Sequence, residues 1–540
     1  MKHIFEFSHS TLRSKICIFS IFIPAYFTLT GCATYIEQPL PERHIPVNLA
    51  TLVDQANHSP AFMPHFISLE DGLSLDDIAS LALFNSPILK VNYEQYRVAQ
   101  ASAYNLTLLP DPQISASMDN PLGNSLGAVN AWSTGIGYDL NALITHQSLV
   151  DVGDRQSKQA KLVLLWQAWQ VSLQAKILSV DLYYTQKKLA LTADMIATYE
   201  RRYQQSKAGM IEGNVTLETN ATDLSILLDA YSQSSLLQQE SNQYAHQLQQ
   251  LLGIDTTSRF PLIDFDVPLE MSADEITSYL LDIDKVRPDL LALQAGYAAQ
   301  EANLRAAILA QFPAFNLGIS TSKDTGDLRT NGFNIGITLP LFNGNKGNIL
   351  IAQTSRKQLA EEYRTRLQQA YTNVSELIQL NSILSVQQAR FSENLSTMEN
   401  LLSNAEKAYS QGDLAPLPFI TAESTWFAKR LELFDLKRSK WRTQLSLSLL
   451  LMRSNEAAKE QATKINFILF FLISNLSAMG AEQPSAAVMT TNITSVDMNE
   501  HVIAYGILQP RPDKVLTLSL SSSGTVGQVW IQSGQRVKKG

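Results

Sequence analysis
Few residues in this chain stand at spacings that could do chemistry. Gly123-Asn124-Ser125-Leu126-Gly127 fits the G-x-S-x-G pattern, in which a sharp strand-to-helix turn lifts a serine into the open as a nucleophile. Here the pattern falls between two strand-like stretches, where no helix follows, so it reads as a polar loop. Gly344-Asn345-Lys346-Gly347 is too short to cradle a phosphate and reads as a turn. The 8 histidines are scattered, with no pair at helical ligand spacing, and the 11 methionines do not cluster as a soft-metal relay would. Both cysteines, Cys17 and Cys32, lie near the N-terminus, so the body of the chain has neither a disulfide framework nor a thiolate zinc site. No catalytic residue, no metal site and no cofactor is expected.

Composition points the same way. The 540 residues are 45% hydrophobic and 17% charged, with a net charge of -8. That charged share is well under the ~25% of an average soluble domain. An acidic balance leaves no broad basic surface for phosphate backbones, which argues against a nucleic-acid partner. The length allows several ordinary domains or one very elongated one.

Lys2, Arg13 and Lys15 precede an apolar run, Ile16 to Leu29, of signal-peptide size. The run ends in Leu29-Thr30-Gly31-Cys32, which resembles a bacterial lipobox. Cys32 would become the first residue of the mature chain and carry lipid, the one covalent group expected. Residue 33 is alanine rather than aspartate, and lipoprotein sorting then implies the outer membrane. Acyl chains contribute about 0.8 kcal/mol of affinity per buried methylene, enough to hold the chain to a leaflet.

The elements that follow come in two copies. Pro87 set against Pro288 brings Tyr96 opposite Tyr297 and Pro112 opposite Pro313, one spacing of about 201 residues, as an internal duplication requires. Each copy continues with two short alternating strands and a very long helical stretch. The strands are expected near Gln113 to Asn120, Trp132 to Leu140, Phe315 to Ser322 and Phe333 to Leu339. Trp132, Thr134, Ile136 and Tyr138 alternate with Ser133, Gly135, Gly137 and Asp139, so period two puts apolar groups on one face. That is the pattern of a membrane barrel strand, but four strands cannot close a barrel, since the smallest need about eight. Other copies of the chain must complete it.

A helix is expected to start at Ser74, with Asp77 closing a capping box, and to run toward Leu109. Prolines are absent between Pro121 and Pro261 and between Pro340 and Pro416, which permits exceptionally long helices. Trp166, Trp169, Leu173, Ile177, Val180 and Tyr184 recur at spacings of three and four, as in a coiled-coil seam. A helix over about Gly153 to Ala208 would rise roughly 80 Å. Its partner is expected over about Leu217 to Leu252, with Gly209 and Gly213 marking the turn between them.

Several stretches in this order resemble the outer-membrane efflux protein family, the TolC-like channels: Leu75-Asp76-Asp77-Ile78-Ala79-Ser80-Leu81-Ala82-Leu83-Phe84-Asn85-Ser86-Pro87, the paired strands, Leu251-Leu252-Gly253, and Ala408-Tyr409-Ser410-Gln411-Gly412 at a second hairpin tip. The resemblance covers about residues 70 to 453. It implies an α+β membrane fold: a trimeric 12-stranded β-barrel, four strands per protomer, continued by a long α-helical coiled-coil periplasmic tunnel. Leu109-Pro110-Asp111-Pro112-Gln113 looks most like the metal-efflux branch. The implied function is the outer-membrane channel of a tripartite efflux pump, a passive duct for drugs or metal ions. Its partners would be a homotrimer, a periplasmic adaptor, a proton-driven inner-membrane pump and outer-membrane lipid. The channel of a type I secretion system, or a lipid-anchored coiled-coil protein without a pore, are the other readings.

The resemblance also assigns residues. Adaptor docking falls on tips at about Lys207 to Thr216 and Tyr409 to Pro418, with Gly209, Gly213 and Gln411. Tyr409 matches a gate tyrosine beside Gly412, while the usual acidic positions are Pro418 and Thr421, leaving Asp413 and Glu423 as nearby substitutes. A threefold ring of carboxylates would favour cations.

Past Met452 the pattern stops. Lys459 and Lys464 precede an apolar run, Ile465 to Leu476, ordered like a second signal peptide. Ser523-Gly524-Thr525-Val526-Gly527 and Gly534-Gln535-Arg536-Val537 then resemble the first half of an adaptor's lipoyl-like domain. The expected division is therefore 1–31 signal peptide, 32–70 lipid-anchored arm, 71–262 first repeat, 263–453 second repeat, 454–482 linker with the signal-like segment, and 483–540 a truncated adaptor-like start, joined by a fusion or a gene-model error.

Overall fold
The computed structural model describes residues 35–40, 46–59, 66–122, 127–265 and 273–451. Cys32, Ser125, the second apolar run and the adaptor-like tail lie outside the described residues.

The first repeat runs α2 (Leu75–Asn85), α3 (Pro87–Thr107), β1 (Gln113–Asp119), β2 (Ala131–Asp139), α4 (Asn141–Ile211) and α5 (Leu217–Leu252), after a short α1 (Leu49–Asn57). The second runs α6 (Ala273–Leu281), α7 (Ile283–Val286), α8 (Pro288–Leu309), β3 (Ala314–Lys323), β4 (Arg329–Thr338), α9 (Lys346–Gln411) and α10 (Pro416–Leu450). The duplication is structural as well as sequential. Both α3 and α8 begin on their proline, and the residue before each, Ser86 and Arg287, is held extended at ψ 123 and 122. Proline forces that conformation on its predecessor. The chain therefore breaks at Ser86, and the helix that starts at Ser74, with its capping box intact, stops at Asn85 rather than running on to Leu109.

α4 has 71 residues and α9 has 66, so each rises about 100 Å. α4 starts earlier than Gly153. That glycine lies inside the helix because α3 crosses there, and a β-carbon on it would meet the Ala103 carbonyl oxygen at 2.7 Å. Of the expected seam residues Val180 and Tyr184 are buried, but the tryptophans are not its most deeply packed members. The most deeply packed positions around Trp166 and Trp169 are Leu164, Ala168, Val171, Ala175 and Leu178, and Trp166 instead stacks under the Arg287 guanidinium at 5.0 Å. α4 packs against α2, α3, α5, α8 and α10, so no single stripe describes it.

The main core wraps the middle of α4 with α1, α2 and the end of α5; Leu52, Leu81, Leu182 and Leu252 are fully buried in it. Parallel bridges from Val47 to Ile254 and from Leu73 to Leu262 tie the arm to the loop after α5. Gly253 ends α5 in the left-handed conformation, at φ 66.

The four strands form one antiparallel sheet in the order β1-β2-β3-β4. The long helices α4 and α9 leave from this sheet, after β2 and β4 respectively. Among the described residues no helix is long and apolar enough to cross a membrane.

Gly153→Val should lower the thermal midpoint, at a cost of about 1–3 kcal/mol for overpacking against a backbone atom that cannot swing aside. Gly347→Ala, which points into open space in the first turn of α9, should leave the midpoint unchanged or slightly raised. Thermal unfolding of the two variants side by side checks the crossing.

Candidate functional site
Two features could act on the surroundings: the faces of the sheet and the tips of the helical hairpins. In the sheet, register decides which side chains share a face. Ile114 pairs with Ile136, Ile136 with Ile319, and Ile319 with Phe333. The row below joins Tyr138, Leu317 and Ile335, and the next Phe315 and Ile337. At the opposite end Met118, Trp132, Lys323 and Arg329 form one row beside the β3–β4 turn. This face is thus apolar over three rows, with Ala116, Thr134, Thr321 and Asn331 in the row before the Trp and two cations that close it, and it is open: Ile114 is 81% exposed and Phe333 65%. The other face carries Ser115, Ser133, Gly135, Asn316, Gly318, Ser320, Gly332 and Asn334. An apolar side backed by a polar or glycine side matches lipid outside and water inside.

Each hairpin tip is built by the same turn. In the first, Gly213 sits at φ 78, and the amides of Asn214 and Val215 both donate to the Gly209 carbonyl, at 2.7 and 3.1 Å. In the second, Gly412 sits at φ 82, and the amides of Asp413 and Leu414 donate to the Ala408 carbonyl, at 2.8 and 3.2 Å. Left-handed glycine satisfies the last carbonyls of the helix without strain. Gly209 is therefore a residue of the last turn of α4, not of the connecting turn, and its carbonyl closes the tip.

The expected gate residues separate. Tyr409 is partly exposed and its ring stacks on Phe419, centroids 4.8 Å apart and 9° from parallel. Gln411 and Asp413 stand exposed on the tip, and the Thr421 hydroxyl donates back to the Leu417 carbonyl at 2.9 Å. Glu423 faces elsewhere. Its carboxylate accepts from Arg202 Nη1 of α4, whose Nε donates to Asp223 Oδ1 of α5 at 2.7 Å. The Arg202 guanidinium lies over the Tyr199 ring, 4.9 Å from its centroid. Glu423 is thus turned into the helix packing, and Asp413 is left as the exposed carboxylate of that tip.

This buried cluster is the first rung of a ladder the sequence reading missed. Further from the tip, Lys188 Nζ donates to both Asp435 oxygens at 3.0 Å, and Arg442 Nη1 to Asp181 Oδ2 at 3.2 Å. The α4 members descend in number as the α10 members ascend, as antiparallel helices require. Between rungs, Tyr199 meets Phe427 edge to face at 5.7 Å and Tyr184 lies against Phe434 at 6.4 Å. Burial pushes the Glu423 carboxyl above its ordinary range, against the opposing pull of Arg202, and does the same to Asp181 against Arg442. Among the described residues no group of three or more His, Cys, Asp or Glu is placed to hold a metal ion.

Arg202→Ala should destabilise the chain by about 3–5 kcal/mol, because it leaves two carboxylates buried without their cation. Glu423 has a raised value in the folded chain, so it favours the folded state in acid and loses that contribution as pH rises through the raised value. In Glu423→Gln the dependence of unfolding free energy on pH just above 4.5, the ordinary value, should be flatter than in the native chain. Chemical denaturation across that range reads both effects.

Residues 282–451 match the family described as Outer membrane efflux protein. The chain is 24% identical over 452 residues to the Cation efflux system protein CusC of Escherichia coli O157:H7, covering 78% of this chain and 95% of that protein. It is 24% identical over 414 residues to the Pyoverdine export outer membrane protein OpmQ of Pseudomonas putida, covering 68% and 84%. A crystal structure of CusC superposes with a TM-score of 0.60 at 20% identity, over 78% of this chain and 99% of the other. The family match over residues 282–451, the relatives and the fold agree in likening the chain to the outer membrane efflux proteins.

Proposed function
We propose that the chain is one subunit of a trimeric outer-membrane efflux channel, a passive duct that carries drugs or metal ions from an inner-membrane pump to the exterior. The observation that carries this reading is the sheet, which has one open apolar face, one polar face and two unpaired edges, β1 and β4. Exposed edges must find strands, and in lipid every backbone group must be paired. Three copies supply twelve strands, enough to close a barrel with the apolar face outward.

The α4–α5 and α9–α10 hairpins then continue the duct for about 100 Å on one side of the membrane. Lipid on Cys32 anchors each copy to the leaflet. The chain does no chemistry; the energy comes from the pump, taken to be proton-driven, through a periplasmic adaptor that grips the two glycine-closed tips. Asp413 and Tyr409 stand where the duct would narrow. A relative named for cation efflux favours metal ions as cargo, and another named for pyoverdine export keeps organic solutes in view.

The full chain, expressed in a Gram-negative host and purified from outer membrane, should have the native mass of a lipidated trimer and conduct in planar bilayers. Asp413→Asn should lower the preference for cations over anions, since three carboxylates leave the narrow end. A monomer that does not conduct would overturn the reading and leave the long helices as scaffold.

A further inference from the structure
The charges of the sheet are sorted between its two faces. Each of the four strands carries one charged residue, at an end: Asp119, Asp139, Lys323 and Arg329. Register places both carboxylates on the polar face, Asp119 opposite Ala131 and Asp139 opposite Asn316. Both cations stand on the apolar face, with Lys323 opposite Trp132 on one side and Arg329 on the other. At that end the polar face offers Ser117, Ser133, Ser322 and Thr330 instead, a wetter place where a cation would be at home. A charge beside lipid costs more than one beside water, so two cations set on the lipid side point to an anion of the lipid itself.

The two ends of the sheet are distinct. α4 and α9 leave from one, and the β1–β2 connection and the β3–β4 turn close the other, so in a channel whose helices fill the periplasm the cation row lies at the exterior rim. On β4, Arg329 and Ile337 bracket the apolar residues Phe333 and Ile335. They stand about 26 Å apart along the strand. At the tilt of a barrel strand that is about 20 Å of depth, close to the ~25 Å band such barrels present to lipid. Going outward, the face passes from Ile136, Ile319 and Phe333 to Thr134, Thr321 and Asn331, and then to Trp132, Lys323 and Arg329. The order is apolar, then hydroxyl and amide, then cation. The Thr321 hydroxyl donates to Asn331 Oδ1 at 3.0 Å, which leaves its own lone pairs and the Asn331 amide hydrogens for a neighbour. Asp327 of the turn accepts from Lys323, while Arg329 is exposed and makes no ion pair among the described residues.

We propose that this rim binds the phosphorylated glycolipid of the outer leaflet, one site per copy, with Arg329 and Lys323 on its phosphate. This rests on the channel reading above and deepens it by naming the lipid. The guanidinium fork of Arg329 matches two phosphate oxygens at once, and the Lys323 ammonium adds a point charge beside it. Asp327 keeps that ammonium at the rim. The rows match the build of such a lipid. Its acyl chains lie against Ile136, Ile319 and Phe333, and the junction where hydroxyl- and amide-bearing chains join the sugar lies against Thr134, Thr321 and Asn331. The phosphate on the sugar then meets the cations. A glycerophospholipid has only ester acceptors between its chains and its phosphate, so it gives the oxygens of Thr134 and Thr321 no donor.

Lipid retention tests the site. The full chain, purified in detergent, is mixed with bisphosphorylated lipid A, and native mass spectrometry reads both the assembly and the lipid it keeps. The native chain should retain lipid A and should retain its dephosphorylated form far less. Arg329→Gln, which breaks no ion pair, should weaken retention about tenfold. Lys323→Gln combined with Arg329→Gln should weaken it further. Lys357→Gln, the same loss of charge at an exposed position on α9, should retain lipid A as the native chain does. Trimers that keep both forms of lipid A equally, an outcome that needs no variant, overturn the inference and leave the channel reading standing. So do variant trimers that retain as much as the native one, and so does displacement of lipid A by an equal amount of phosphatidylglycerol, which would make the rim a site for any lipid phosphate. Monomers throughout overturn the channel reading and the inference together.

Discussion
A β-sheet with two open edges and one open apolar face is stable neither alone in water nor alone in lipid, and this constraint organises the rest of the molecule. In water the face formed by Ile114, Ile136, Ile319 and Phe333 would aggregate; in lipid the unpaired groups of β1 and β4 would each lack a hydrogen-bond partner. In the proposed channel, joining edges between copies answers the second problem and membrane insertion answers the first. Everything below the sheet would then repeat around the same axis, because the strands hand over directly to α4 and α9. The glycines of the inner face fit this arrangement. A β-carbon on Gly135 would stand 3.1 Å from the Ser115 hydroxyl and 3.2 Å from the Ile319 carbonyl, so the crowded polar side keeps its small residues.

The helices solve a different problem. A span of about 100 Å cannot be stabilised by helix propensity or by one globular core, so each long helix is held along its length by neighbours. Near its middle α4 shares the main core with α1, α2 and the end of α5. Toward the tip a second apolar cluster, with Leu191, Met195, Tyr199, Leu227 and Phe427 buried, joins α4, α5 and α10, and the ion ladder runs beside it. Buried ion pairs add little net stability over apolar packing, but removing one partner is costly, so they punish a slipped register. Long helices packed side by side have many near-equivalent registers. Three charged rungs, with Tyr199 on Phe427 and Tyr184 on Phe434 between them, leave one.

Much of this was legible in the sequence where the signal is local. The alternation of Trp132, Thr134, Ile136 and Tyr138 gave the strand face directly, because side chains two apart cannot avoid sharing a side. Gly213, Gly253 and Gly412 marked helix ends through their backbone freedom. The Ser74–Asp77 box is a three-residue contact and forms as expected. What could not be read were contacts between distant helices. Arg202 and Glu423 are 221 residues apart, Lys188 and Asp435 247, and Arg442 and Asp181 261. No pattern around any of them distinguishes a buried ion from a solvated one. Hence Glu423, near the tip in sequence, was read as a pore candidate when its helix turns it toward α4. The same blindness moved the α4 seam from the tryptophans to Ala168 and Ala175, small residues that let several helices approach at once.

The two copies of the hairpin differ in the chemistry of their edges. Two copies of one hairpin, fused in a chain, would at first have identical edges, and every edge could pair with every other. Charges at Asp181, Lys188, Arg202, Glu423, Asp435 and Arg442 pair across the α4–α10 seam, with Asp223 and Arg438 as further partners of Arg202 and Asp435. The opposite edges keep Leu224, Leu228, Leu380 and Leu401. An edge of leucines set against a ladder of charges would strand ions without partners, at several kcal/mol each, so a hairpin that docks in the wrong place is rejected.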